Sequence, residues 1–264
     1  MIPKIIHYCW FGGNPLPKEA KSCIESWKKF FPGYEIKEWN ESNYDVSSCE
    51  YTKEAAIAKK WAFVSDFARF DILYRLGGIY FDTDVEVIRT MEDILETGAF
   101  MGIESGELRE GGTFGIASGL GIAAPACHPI YKEIIDCYRG KHFWDTEGKI
   151  DTTTVVTVVT NLLVEKGIEI KDNVGSCLGI SIYPKDFFCP QDYVTGKITI
   201  TNNTRSIHHY TATWMSPTQK LRHNIHVKCK LTFGIRYGTI IAKIISAPLW
   251  MINKYQKNKN YIKE

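Results

Sequence analysis

The sequence predicts an α/β fold, with a Rossmann-like domain on a mixed central sheet followed by a helical tail. Two patterns support this prediction. Residues 1–39 read as strand, helix and strand with short connections, which is typical of the start of a parallel, doubly wound sheet. Near the other end, an apolar run over 239–252 leads into a lysine-rich segment. We therefore expect a catalytic domain over residues 1–232 and a helical, basic tail over 233–264.

The individual elements follow from the spacing of apolar residues and from the glycines and prolines between them. Residues 2–11 are β-branched and aromatic, as in a buried first strand. Residues 53–76 contain no Gly or Pro and carry aromatic residues at helical spacing, which predicts one long helix closed by Gly77 and Gly78. The other predicted elements are helices over 16–31, 128–138 and 152–166, strands over 34–39, 79–81, 100–103 and 115–124, a mobile loop over 104–112 and a hairpin arm over 193–201.

The composition narrows the class of protein. A hydrophobic fraction of 44% and a charged fraction of 23% are ordinary for a globular chain. The net charge of +2 favours neither nucleic acid nor a strongly acidic substrate. None of the eight cysteines forms a C-x-x-C pair, which indicates reduced thiols. Because the amino end also lacks the apolar stretch of a signal peptide, we expect a cytoplasmic protein.

The tail has two interpretations. Its apolar run over 239–252 is shorter than the roughly 20 residues that a membrane span needs. The run could lie in a membrane interface with its lysines facing anionic lipid, as a peripheral protein on the inner face of the cell membrane would. It could equally pack on the domain as a terminal helix with a charged end. The sequence leaves both interpretations open.

Two carboxylates point to chemistry. Asp82 and Asp84 are separated by one residue and follow a short apolar strand. Hard divalent cations prefer oxygen ligands, and a nucleotide diphosphate supplies further oxygens. A cation held there would neutralise the charge that develops on a departing diphosphate. Acidic pairs are common in surface loops, so this pair is informative only together with its surroundings.

Those surroundings are specific. The segment from Ala62 to Asp84, through a helix, a Gly-Gly turn and a strand, strongly resembles the signature of glycosyltransferase family 32. That family is related to fungal mannosyltransferases and to the glucosylating domains of large clostridial toxins. Residues 2–12 are similar to the family's opening strand, and residues 207–214 to its late H-H-x-x-x-S-W element.

The resemblance implies a GT-A type nucleotide-sugar-binding domain and a retaining transferase. The expected reaction moves a hexose or N-acetylhexosamine from a nucleotide sugar to a saccharide or lipid-linked glycan, in the biosynthesis of surface polysaccharide. A UDP-sugar is the favoured donor and GDP-mannose a less favoured one. We expect no nucleic-acid partner.

The resemblance also implies roles for single residues. Asp66 and Arg69 match helix positions that contact the sugar, ribose or diphosphate of the donor. Asp84 is the expected direct ligand of Mn²⁺ or Mg²⁺, whereas Asp82 shares its role between metal and ribose, and His209 is a further metal or phosphate contact. These four acidic and basic positions, Asp66, Arg69, Asp82 and Asp84, form the expected catalytic group. The remaining residues expected to bind the donor are His7, Tyr8, Trp10 and Trp214.

Two departures from the family pattern bear on the acceptor. The sequence has Asp151 followed by three threonines where the family often has Thr-Gly-Pro, and Thr213 stands where Ser is usual. Thr213 keeps a hydroxyl, so the expected metal site is little affected. The Asp151 region faces the acceptor side in the family, so acceptor identity does not carry over from distant relatives.

Two other functions compete with transfer. A phosphatase of the haloacid dehalogenase type also places D-x-D after an apolar strand, but needs Thr or Val four residues after its first Asp. Glu86 occupies that position, and the chain contains no Asp-Asp doublet for the second metal element of such enzymes. A catalytically inactive homologue that binds carbohydrate or nucleotide is the other alternative, although such a protein would not need both carboxylates.

Overall fold

The computed structural model describes residues 1–104, 114–192, 195–211 and 217–261. By its packing the chain forms two compact units. The first contains Met1–Pro190 and Thr199–His209, and the second contains Gln191–Ile198 and Tyr210–Glu264. The expected division at residues 232 and 233 lies inside the second unit.

The first unit is built on β-strands that form a large mixed sheet and a small antiparallel pair. The strands are β1 (Ile5–Cys9), β2 (Glu35–Trp39), β3 (Gly78–Tyr80), β4 (Val85–Val87), β5 (Ala99–Gly102), β6 (Ile122–Ala124), β7 (Gly175–Cys177), β8 (Ile180–Tyr183) and β9 (Ser206–His208). The seven-stranded sheet has the order β2-β1-β3-β6-β5-β8-β7, and β4 pairs with β9. Strands β2, β1 and β3 are parallel, whereas β6 runs antiparallel to both its neighbours.

Helices cover this sheet. They are α1 (Lys18–Phe30), α2 (Glu50–Ile57), α3 (Trp61–Leu76), α4 (Glu92–Glu96), α5 (Pro129–Asp136), α6 (Val155–Glu165) and α7 (Lys185–Phe188). Helix α1 buries Ala20, Cys23, Ile24 and Trp27, which are spaced to form one apolar stripe. The Trp27 indole donates a hydrogen bond to the Val85 carbonyl at 2.7 Å, which fixes β4 directly after the acidic pair. The predicted α/β class with a mixed central sheet is confirmed.

The long helix predicted over 53–76 is wrong, because the chain breaks it into α2 and α3. Lys59 between them adopts a left-handed backbone with φ of 54°. The backbone N–H of Lys60 donates to the Ala55 carbonyl at 2.8 Å, which closes α2. Tertiary packing accounts for the break, since it places the Trp61 ring against Phe11 with a centroid distance of 6.4 Å.

The strand predicted over 115–124 is also too long. Only Ile122–Ala124 belongs to the sheet, while Ile116 forms an isolated bridge with Ile103. Residues 118–120 form a turn instead. The reason is local geometry: the Gly119 carbonyl accepts a hydrogen bond from the Asp82 backbone N–H at 3.1 Å, so this stretch contacts the acidic pair and not a neighbouring strand.

The Gly77-Gly78 turn links α3 to β3 as predicted. Gly77 is the C-cap of α3, with φ of 66°, and its N–H donates to the Leu73 carbonyl at 2.8 Å. Gly78 has φ of 110°, and a Cβ placed there would lie 2.7 Å from the Ile5 carbonyl oxygen. Glycine is therefore required at 78 both for its backbone angle and for the close approach to β1.

The second unit contains helix α8 (Pro217–Tyr261), which confirms the predicted C-terminal helix. The helix is interrupted at Gly234, whose φ of 74° and ψ of 167° are not helical. No helix among the described residues is long and apolar enough to cross a membrane. Of the predicted hairpin over 193–201, the structure shows a bridge between Gln191 and Ile198, while residues 193 and 194 lie outside the described residues, as does most of the loop predicted over 104–112.

Replacing Gly78 by alanine should destabilise the protein strongly. The substitution combines left-handed strain with a collision against the Ile5 carbonyl, so we expect a loss of about 3 kcal/mol in the free energy of unfolding. Urea denaturation measures this loss. Gly140→Ala is the matched control, because Gly140 has φ of 75° but no atom within 4 Å of its added Cβ. That control should cost about 1 kcal/mol, and equal losses in the two variants would contradict the close approach.

Candidate active site

The candidate site lies where β3 ends. Strands β1 and β3 are parallel neighbours, with His7 opposite Tyr80, so their carboxyl ends share one edge of the sheet. Asp82 and Asp84 follow β3, and Trp10 follows β1. In open α/β sheets, ligands bind beyond the carboxyl ends of the strands. The fold therefore brings the acidic pair to the edge at which a ligand is expected.

Arg69 joins the parts of the site. Its side chain is 5% exposed, and Nη2 lies 2.9 Å from Asp66 Oδ1 and 3.2 Å from Asp82 Oδ1. Nε donates to the Ser65 carbonyl at 3.1 Å, and Nη1 donates to Ser118 Oγ at 3.0 Å. The guanidinium group thus contacts helix α3, the end of β3 and the 118–119 turn at once. Two carboxylates compensate its buried charge.

Asp82 is held by one of its two oxygens. The Tyr80 hydroxyl donates to Asp82 Oδ1 at 3.1 Å, and Arg69 binds the same oxygen. The side chain keeps 29% of its surface exposed. This arrangement fixes the carboxylate through Oδ1 while leaving part of the group accessible to a ligand.

Two residues that the sequence did not single out complete this side of the site. Ser118 is fully buried and accepts the hydrogen bond from Arg69. A Cβ added at Gly119 would collide with Asp82 Oδ2 and would lie 3.4 Å from Arg69 Nη1. The absence of a side chain at 119 thus gives the Asp82 carboxylate its space. The Ser118-Gly119 dipeptide, a common turn signal, is the feature of the sequence that could have identified these two positions.

Asp84 lies next to His208. The imidazole Nε2 is 3.1 Å from Asp84 Oδ1, and the two side chains are only 14% and 15% exposed. Burial opposes protonation of His208, but the charge and hydrogen bond of Asp84 overcome it and raise the pKa of the imidazole. His208 is the last residue of β9 and is in register with Val85 of β4. This pairing brings the imidazole next to Asp84, which precedes Val85 in the chain.

His209 points to a different carboxylate. Its Nε2 is 2.8 Å from Glu86 Oε2, while its backbone N–H donates to the Asp84 carbonyl at 3.0 Å. His209 directly follows β9, which ends at His208, and the two neighbouring histidines contact two different acidic residues. The sequence favoured His209 as a metal or phosphate contact, whereas the histidine beside Asp84 is His208.

Asp66 is the second partner of Arg69. Burial raises the pKa of Asp66 to about 6, and the neighbouring negative charge of Asp82 acts in the same direction, although the Arg69 charge opposes the shift. Asp66 and Arg69 are three residues apart on α3, so the ion pair forms within one helix face. Arg69 also connects this pair to residues outside the helix, since it contacts Asp82 and Ser118.

The residues predicted to bind the donor base occupy different environments. His7 is fully buried, accepts a hydrogen bond from the Trp39 indole at Nδ1 (3.1 Å), and therefore donates through Nε2 to the Gly77 carbonyl at 3.0 Å. Burial lowers the pKa of His7 to about 4, so the ring is neutral near pH 7. Its two nitrogens are engaged in the packing of β1 against β2 and the Gly77 turn.

Tyr8 lies near the end of β1, and Trp10 directly follows that strand. Tyr8 is 7% exposed, and its hydroxyl donates to Glu38 Oε2 at 2.7 Å. Trp10 is partly exposed, with its indole donating to the Asn14 carbonyl at 2.5 Å. Of the three residues predicted on this strand, Trp10 has the surface on which a ligand ring could stack. Trp214 and Thr213 lie outside the described residues.

The metal prediction is neither confirmed nor contradicted by the geometry. Among the residues that the structure describes, no group of three or more His, Cys, Asp and Glu side chains is arranged to hold an ion. Asp82 and Asp84 offer the oxygen donors that a hard divalent cation prefers, and both carboxylates are partly accessible. The oxygen atoms of these two carboxylates are thus suitable ligands for such a cation. The phosphates of a bound nucleotide could supply further oxygen ligands.

Comparison with known families identifies the region around this site. Residues 17–101 match the family described as "Glycosyltransferase sugar-binding region containing DXD motif". The candidate site thus lies in a segment that resembles a glycosyltransferase sugar-binding region. The match includes α3, the glycine turn and both carboxylates, which confirms the family resemblance predicted from the sequence.

Two named glycosyltransferases are similar to part of this chain. One is the uncharacterised glycosyltransferase L373 of Acanthamoeba polyphaga mimivirus, 33% identical over an alignment of 110 residues that covers 38% of this chain and 42% of the relative. The other is inositol phosphoceramide mannosyltransferase 3 of Schizosaccharomyces pombe, 33% identical over 108 residues, covering 38% of this chain and 29% of the relative. The chain thus matches less than half the length of either protein.

Solved structures include a distant neighbour. A galactosyltransferase LgtC structure in complex with donor and acceptor sugar analogues aligns with 83% of this chain and 94% of its own, at 14% identity and a TM-score of 0.44. This likeness is distant, and the architecture of the chain is established by its own sheet and helices.

Replacing Gly119 by alanine should disable the sugar-binding region without unfolding the protein. The added methyl group occupies the place of Asp82 Oδ2, so the partly exposed carboxylate must turn away from its position. We expect at least about tenfold weaker binding of a UDP-sugar with Mn²⁺, since small displacements of positioning groups are costly. Ligand-induced thermal stabilisation measures this binding.

Gly175→Ala provides the control for that substitution. Gly175 lies in β7, and no atom is found within 4 Å of its added Cβ. This variant should bind like the unsubstituted protein. Unchanged binding in Gly119→Ala would show that the space at 119 does not position Asp82.

Proposed function

We propose that this protein is a retaining, divalent-metal-dependent glycosyltransferase. It moves a hexose or N-acetylhexosamine from a nucleotide sugar to a saccharide or lipid-linked glycan. One observation carries the proposal: within a segment that matches a DXD sugar-binding region, buried Arg69 links the helix carboxylate Asp66 to the first carboxylate of the pair, Asp82. The favoured donor is a UDP-sugar, with GDP-mannose as the second candidate.

The proposed roles follow from charge and accessibility. Asp84, with Asp82 beside it, would hold Mn²⁺ or Mg²⁺ on the donor diphosphate, where the cation neutralises the charge of the leaving group. Arg69 brings a second positive charge to that region, and Asp66 accepts hydrogen bonds from donor hydroxyls. His208 orients Asp84, and His209 with Trp214 remains the proposed contact to diphosphate or metal.

Retention is proposed to proceed on one face of the sugar. No side chain of the site is an evident covalent nucleophile, so the leaving phosphate itself accepts the proton of the acceptor hydroxyl. The protein then contributes positioning and charge stabilisation. A buried, pre-organised Arg69 suits this task, because its hydrogen bonds are already made before the reaction starts.

We further propose that the enzyme works at the inner face of the cell membrane. Lipid-linked acceptors of surface polysaccharide are found there, and the basic C-terminal tail would keep the protein near them. The acceptor is therefore proposed to be a membrane-bound saccharide.

The proposal predicts the behaviour of Asp84→Asn. Loss of one carboxylate charge should abolish Mn²⁺-dependent hydrolysis of UDP-sugars, by about 100-fold or more, because the cation would lose its direct ligand. Nucleotide release from a panel of UDP-sugars and GDP-mannose measures this activity in the absence of a known acceptor. The matched control is Asp136→Asn, a carboxylate in the surface ion pairs with Lys132 and Arg139.

Three results would contradict the proposal in different ways. Full activity in EDTA would exclude the metal role. Binding of nucleotide sugar without any hydrolysis or transfer would favour the inactive homologue. Release of phosphate from simple monoesters, with no turnover of nucleotide sugars, would favour a phosphatase.

A further inference from the structure

Helix α8 folds back on itself at Gly234. His226 Nε2 lies 3.2 Å from Ser246 Oγ, although a continuous helix would separate residues 20 apart by about 30 Å. A Cβ added at Gly238 would lie 2.5 Å from the Cys229 carbonyl oxygen, so the backbones of the two halves touch. Residues 217–233 and 235–248 therefore form two packed helices, here named the tail hairpin.

In the tail hairpin, small side chains are buried and large apolar side chains are exposed, which is the opposite of the pattern in a globular protein. Over residues 218–248 the buried positions are small ones, Cys229, Gly238, Ala242 and Ser246. Large apolar side chains are more than half exposed instead: Leu221, Leu231, Phe233, Ile235, Tyr237, Ile240, Ile244 and Ile245. Soluble helices turn such residues inward, whereas helices that pack within lipid meet through small residues.

The charge of the same segment is uniform. Residues 217–248 contain six Lys and Arg, residues 249–263 contain four more, and neither stretch contains Asp or Glu. Because the whole chain carries only +2, the rest of it is net negative. A surface that is both apolar and positive complements a layer of anionic headgroups over acyl chains. A second copy of the hairpin would bring like charges together, which disfavours self-association through this face.

We propose that the tail hairpin binds the surface of membranes that contain anionic lipid. Its exposed isoleucine, leucine and aromatic side chains enter the boundary between headgroups and acyl chains, and its Lys and Arg residues face the phosphates. The hairpin lies in the interface and does not span the bilayer. This deepens the membrane association of the proposed function, but it does not depend on catalysis by the sugar-binding region.

Sedimentation of the full chain with lipid vesicles tests the inference. Phosphatidylcholine vesicles that contain phosphatidylglycerol should bind the protein, and vesicles of phosphatidylcholine alone should bind it much less. High salt should release a large part of the bound protein, because it screens the lysine and phosphate charges. Ile240→Ser combined with Ile244→Ser removes two exposed side chains of one helix face and should weaken binding roughly tenfold.

A matched double variant separates this effect from general loss of apolar surface. Ile57→Ser with Ile200→Ser removes two isoleucines that are 66% and 53% exposed in the first unit. It should bind vesicles like the unsubstituted chain. Circular dichroism of both double variants checks that their helices are retained.

Several outcomes would overturn the inference. Equal binding to both vesicle types would exclude recognition of anionic lipid, and unchanged binding by the Ile240 and Ile244 variant would exclude this face. A lipid-free dimer that the same variant dissociates would assign the face to a second copy instead. The proposed catalysis is tested separately, since Asp84→Asn should bind vesicles normally and the hairpin variant should still hydrolyse nucleotide sugars in solution.

Discussion

The buried guanidinium group of Arg69 is the interaction on which the candidate site depends. A cation removed from water needs compensating charge and hydrogen bonds, and Arg69 obtains them from Asp66, Asp82, Ser118 and the Ser65 carbonyl. Those partners belong to a helix, the end of a strand and a turn. Satisfying one buried charge therefore fixes three separate parts of the chain relative to one another.

The backbone makes this arrangement possible. The Gly77-Gly78 turn sends the chain from α3 into β3 within two residues, so the helix that carries Arg69 and the strand that delivers Asp82 are direct neighbours. Gly119 then leaves space for the Asp82 carboxylate. On the other side, pairing of β4 with β9 brings His208 to Asp84. The two carboxylates of the pair thus have different basic partners, Arg69 and His208, which supports the different roles proposed for them.

Much of the fold could be predicted from the sequence, because its strongest signals are local. Apolar spacing located the first helix and the first two strands, and Gly77-Gly78 located the end of α3. The break at 58–60 could not be predicted, since it contains no Gly or Pro and results from packing of Trp61 on Phe11. The 118–120 turn bends to meet Asp82. It was missed, although its Ser118-Gly119 dipeptide is a common turn signal, because apolar residues flank it on both sides.

The site was predictable to a similar extent. The pairing of Asp66 with Arg69 follows from helical spacing alone, but the link from Arg69 to Asp82 and Ser118 joins residues 13 and 49 positions away. The resemblance gives His7 a role in donor binding, and its burial follows from the register of β1 with its neighbours, which the sequence alone does not give. Likewise, the resemblance pointed to the His208-His209 block, but only the β4–β9 register assigns His208 to Asp84.

A double-mutant cycle on Arg69 and Asp66 tests the central claim most directly. The free energy of unfolding would be measured for Arg69→Met, Asp66→Asn, the double variant and the unsubstituted chain. If the buried pair organises the site, the two single substitutions are strongly non-additive, with a coupling energy on the order of 2 kcal/mol. Additivity within about 0.5 kcal/mol would contradict the account.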